Sequence, residues 1–105
     1  MNRVFYRLSE EDYATLAEKI KEKLMTPHYF TGAVECEGAG GEVLRLVASL
    51  ILYRERVSTP TQDGIYGDIS DISAVWWDFY CEGEDGLCQD DFDFEKLCNH
   101  IRERY

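Results

Sequence analysis

Residues 69–81 read Ile-Ser-Asp-Ile-Ser-Ala-Val-Trp-Trp-Asp-Phe-Tyr-Cys, and no other stretch leaves this chain so few ways to fold. β-Branched and aromatic side chains dominate, and neither Gly nor Pro interrupts the run, so an extended strand is favoured over a helix. In strict alternation Val75, Trp77, Phe79 and Cys81 share one side, and Ala74, Trp76, Asp78 and Tyr80 the other. Only the first set is apolar throughout, so that side is expected to face the core. A slip of one residue would bury Asp78, which pins the register. The second side still carries Trp76 and Tyr80, and exposed aromatic patches mark interfaces.

The rest of the chain supplies helices to cover such a strand. Ser9 is placed to cap a helix with Asp12 at its third position, and Leu8 can staple onto Tyr13. Tyr13, Leu16, Ala17, Ile20 and Leu24 then recur at helical spacing and form one apolar stripe. Near the other end Phe94, Leu97, Cys98, Ile101 and Tyr105 repeat that spacing, with Asp90 or Asp91 as the expected cap. Between the helices, residues 29–37 alternate as a strand, and Gly38-Ala39-Gly40-Gly41 reads as a hairpin turn. Residues 42–56 are ambiguous: Leu44, Leu46, Ala48, Leu50 and Leu52 form an unbroken period of two, while Arg45, Ser49 and Arg56 also fit one helix edge. The turn before them and the strands around them favour a strand, and its length demands a bend, a bulge or an overhang. A long connection is expected over 57–68, and residues 3–8 can form a short edge strand.

The expected architecture is therefore α+β, one domain over 1–105 with the order α-β-β-β-α. It consists of a three-stranded antiparallel meander, with a possible extra N-terminal edge strand, and two helices on one face. At this length and with 45% apolar residues the core needs neither disulfide nor metal. The order resembles that of double-stranded-RNA-binding domains, which begin their last helix with basic residues. Here the corresponding stretch is Asp90-Asp91-Phe92-Asp93, so the resemblance stops at the order of elements and implies no RNA contact.

Charge decides which partners are plausible. The net charge is −10, and residues 63–95 hold 11 acids with no Lys, Arg or His. Such a field repels phosphate backbones, so direct binding of nucleic acid is disfavoured and basic partners are favoured. The opening residues, Met1 to Arg7, hold no continuous apolar run, and no stretch is long enough to span a bilayer, which points away from membranes and to the cytoplasm.

Candidate chemistry is sparse. Cys36, Cys81, Cys88 and Cys98 contain no C-x-x-C pair. Cys81 and Cys98 read as small core residues, whereas Cys88 is expected in an exposed acidic loop that disfavours its thiolate. Cys98 and His100 diverge by about 200° on a helix, a poor geometry for joint zinc ligation. The glycine cluster lacks the Lys-Ser/Thr of a phosphate loop. No Ser or Cys sits in a motif that a histidine would activate. No enzyme activity and no cofactor are expected.

The leading expectation is a small acidic, non-enzymatic interaction protein. It would self-associate or hold a protein partner through Ile51, Tyr53, Trp76, Asp78 and Tyr80. An acidic surface of Asp63, Asp68, Asp71, Glu82, Glu84, Asp85, Asp90, Asp91 and Asp93 supports two alternatives: a nucleic-acid mimic that blocks a basic DNA-binding protein, or a Ca²⁺-binding module.

Overall fold

The computed structural model describes residues 5–24, 26, 28–38, 40–56, 66–84 and 86–102. In order these form β1 (Phe5–Tyr6), α1 (Glu10–Glu22), β2 (Tyr29–Glu37), β3 (Val43–Arg56), β4 (Tyr66–Gly83), β5 (Gly86–Leu87), β6 (Gln89–Asp90) and α2 (Phe94–Arg102). The fold is α+β. Its main sheet is antiparallel with the order β2-β3-β4-β5, so the expected meander is present and gains a short fourth strand.

The start of α1 is built by its own sequence. Ser9 Oγ accepts from Asp12 N at 3.2 Å, and Asp12 Oδ2 accepts from Ser9 N at 2.9 Å, which closes a capping box. The same oxygen accepts from Tyr6 OH at 2.6 Å, so the buried carboxylate is satisfied from two sides. The expected stripe follows: Tyr13, Leu16, Ala17 and Ile20 are buried. On α2, Leu97, Cys98 and Ile101 are buried. The two helices pack on each other and on the same side of the sheet, α1 over β2 and α2 over β4. Beneath them lie Phe30 and Val34 of β2 and Leu44, Leu46, Ala48, Leu50 and Leu52 of β3, all buried. The long apolar run is thus a strand, held in the middle of the sheet because one side of it is wholly apolar.

β4 departs from strict alternation. Ser49 pairs with Trp76 and Leu50 with Ala74, which leaves Val75 as an extra residue; further register shifts fall between Tyr53 and Arg54 and between Arg54 and Arg56. A bulge of this kind inverts the two sides of the strand beyond it. The expectation for Val75 and Ala74 is therefore corrected: Val75 is 64% exposed, while Ala74 packs against the core. The physical reason is the extra residue, which periodicity alone does not reveal.

Other boundaries are also corrected. β1 is not an edge of the main sheet; it runs parallel to β6, with Phe5 opposite Gln89 and Tyr6 opposite Asp90. The cap of α2 is Asp93 rather than Asp90 or Asp91: its Oδ1 accepts from Glu95 N at 2.9 Å. Asp90 Oδ1 instead accepts from Phe92 N at 3.0 Å, and Asp91 Oδ1 from Leu8 N at 2.8 Å, which latches the N-terminal segment to the approach of α2. Of the expected connection 57–68, residues 66–68 already belong to β4 and 57–65 lie outside the described residues. Among the described residues no helix is long and apolar enough to cross a membrane.

The open face of the sheet as the candidate site

With both helices on one side, the other side of the sheet is left uncovered by α1 and α2. Ladder register fixes what it displays. Tyr29, Ile51 and Ser73 form one row across the three long strands, then Thr31, Ser49 and Trp76, then Ala33, Val47 and Asp78, then Glu35, Arg45 and Tyr80. Tyr53 faces Asp71 beyond the first row. Side chains directly opposite on neighbouring strands touch, so each row is a unit.

The rows alternate in character. Tyr29 OH lies 2.9 Å from Ser49 Oγ, which donates onward to Thr31 Oγ1 at 3.1 Å, so the buried serine is satisfied. Arg45 and Glu35 form an ion pair at 2.7 Å. Tyr80 OH donates to Asp78 Oδ2 at 2.7 Å, and that hydrogen-bonded carboxylate pushes the phenol above its ordinary pKa. These polar pairs are satisfied by each other in pairs along the sheet, and the apolar side chains stand between them. Trp76 is 51% exposed, Tyr53 50% and Tyr80 40%. Ile51 is half-buried and Tyr29, Val43 and Val75 are exposed.

All five expected interface residues, Ile51, Tyr53, Trp76, Asp78 and Tyr80, are on this side, within adjacent rows. The same side also carries Tyr29, Val47 and Arg45, which lie outside the expected set, and Val75 at the bulge is exposed. Tyr29 was recoverable by carrying the alternation of residues 29–37 through the glycine turn. Val75 was not, because its exposure depends on the bulge. Trp77 lies on the helix side yet is 42% exposed. It stacks on Phe94 of α2 at 5.1 Å and meets Phe92 at 5.4 Å, while Phe79 stacks on Phe92 at 4.2 Å. This aromatic pile forms the rim between α2 and β4.

The described acidic residues are spread over several elements. Asp63 and Asp85 lie outside the described residues, as does the side chain of Asp68. Asp71, opposite Tyr53, and Glu82, opposite Val43, sit toward opposite ends of β4, roughly 35 Å apart along an extended strand. Glu82 and Glu84 are both exposed. Asp90, Asp91 and Asp93 are each engaged by a backbone N–H, as described above. Among the described residues no three His, Cys, Asp or Glu side chains converge to hold a metal ion. His100 Nε2 lies 2.7 Å from Glu10 Oε2 with its ring stacked on Tyr13, and His28 Nδ1 lies 3.3 Å from Leu52 O. Both histidines thus have structural contacts.

Comparison with protein-family models, with curated proteins and with solved structures returns no match.

Proposed function

We propose that this chain is a small non-enzymatic interaction protein that holds a protein partner against the open face of its sheet. One observation carries the reading: Tyr53, Trp76 and Tyr80, with Tyr29, are solvent-exposed on the open face in place of the polar side chains that a solvated sheet face carries. Rigid aromatic anchors with hydrogen-bonded polar neighbours are the composition of an interface centre. The chemistry of the partner follows from charge. A second copy would bring one net charge of −10 against another, whereas an apolar patch rimmed by Lys and Arg would meet Asp78, Glu37 and Glu82 favourably. The four cysteines are free thiols, a state that suits the reducing cytoplasm, where we place the protein.

The test is photo-crosslinking from the full chain in cells. A photoreactive residue at Trp76 or Tyr53 is expected to capture a discrete partner, and one at Glu11 or Glu18 of α1 to capture none. Capture should fall when NaCl is raised in lysates. Equal labelling from both sides of the molecule would refute the reading. A product of two linked copies of this chain would refute the choice of partner.

A further inference from the structure

The side chains that this reading leaves unused gather where β4 meets β5. Cys81 is buried and Cys88 half-buried, and both belong to a small apolar cluster around Tyr6 and Leu44. Cys88 N donates to Cys81 O at 2.8 Å, and the next pair along the ladder is Leu87 with Glu82, so the two cysteines stand directly opposite. Opposite residues at a hydrogen-bonded position have Cα atoms about 5.5 Å apart, inside the window of about 4.4–6.8 Å that a disulfide spans. Their side chains leave the strands on the same side and pack in the same cluster; burial first, then the neighbouring Cys88 thiol, pushes Cys81 up to about 12. Gly83 leaves room for this contact, since a Cβ there would lie 3.0 Å from Cys88 Sγ. The thiols of Cys36 and Cys98 are raised chiefly by burial instead. Cys88, expected in an exposed acidic loop, is therefore half-buried and faces Cys81 across the ladder.

We propose that Cys81 and Cys88 are a reversible dithiol–disulfide pair that closes β5 onto β4 when the chain meets an oxidised low-molecular-weight disulfide such as glutathione disulfide. Cys88, the more accessible thiol, loses its proton and attacks the disulfide, forming a mixed disulfide and releasing one small thiol. The Cys81 sulfur then displaces the second small thiol from Cys88, and the Cys81 proton leaves with it. Two protein thiols are oxidised, one external disulfide is reduced to two thiols, and nothing else is consumed. The bond would fasten more than a hairpin. β5 leads into β6, which pairs with β1, and Asp91 follows with its latch on Leu8.

The experiment uses the full chain equilibrated in reduced and oxidised glutathione, quenched with an alkylating agent and read by intact mass and peptide mapping. The expected product is lighter by about 2 Da before alkylation, links Cys81 to Cys88, and leaves Cys36 and Cys98 alkylated. Its Tm should rise on the order of 10 °C, by the shorter closed loop, and return on adding dithiothreitol. Cys88→Ser, which leaves the buried partner in place, should abolish both changes, as should Cys81→Ala. A stable glutathione adduct on Cys88, a bond to Cys36, a dimer linked through Cys88, or four alkylated cysteines in glutathione disulfide alone would each overturn the proposal.

Discussion

Asp12 shows how much one side chain can organise here. A single buried carboxylate oxygen receives both the Ser9 N–H and the Tyr6 hydroxyl, so the cap of α1 and the placement of β1 are decided together. Losing a partner of a buried charged group costs about 1–3 kcal/mol, more than a typical exposed contact. Buried thiols add a dependence on pH. Burial pushes Cys98 up to about 11 from an ordinary value of 9.0. The folded thiol therefore holds its proton where the unfolded one releases it. The stability contributed is complete below pH 9 and is lost as pH rises from there toward 11. Thermal melts between pH 7 and 10.5 should show this decline, and Cys98→Ala should flatten it whatever the substitution does to the Tm at neutral pH. Parallel curves for the two proteins would count against it.

The elements differ in how well local sequence announces them. α1 was legible to the residue at its start because its cap, its acidic first turn and its apolar stripe all lie within Ser9–Ile20. β2 was legible from its alternation, whereas β3 also fitted one edge of a helix and was settled as a strand only by the glycine turn before it and the strands around it. β4 was legible as a strand and not as a surface. Its bulges depend on what β3 places opposite, and no local signal marks Val75 as the surplus residue. Similarly, β1 and β6 are two-residue strands that exist only through each other, across more than eighty positions of chain. Ile51, Tyr53, Trp76, Asp78 and Tyr80 share the expected side of the sheet because they lie on the far side of the bulge or on β3. Deleting Val75 tests this account. Trp76 would stay opposite Ser49 and Ala74 opposite Leu50, so both sides of the sheet would keep their residues. A cooperative melt with stability within about 1 kcal/mol of the parent is expected; loss of cooperativity would show that the curvature made by the bulge is needed to seat α2.

At the scale of the molecule, the principal extents are 63 × 25 × 18 Å. The length has a simple source: β2 pairs with β3 only as far as Ile51, whereas β3 and β4 continue together to Arg56 and Tyr66. Beyond the core residues Leu52 and Ile69 the sheet is a two-stranded ribbon, and such ribbons are marginal by themselves. Hydrogen exchange should rank the chain accordingly, with amides of Tyr53–Arg56 and 66–68 exchanging faster than those of Leu44–Leu50. Uniform protection along β3 would contradict this.

The latch between Leu8 and Asp91 also has a temporal side. A ribosome releases α1 and β1 well before residues 89–101 exist, so the first helix waits with the flank that packs on α2 unsheltered until those residues arrive. Nascent chains stalled before β6 should remain open to protease throughout, and the whole body should become resistant in one step once the last helix clears the exit tunnel.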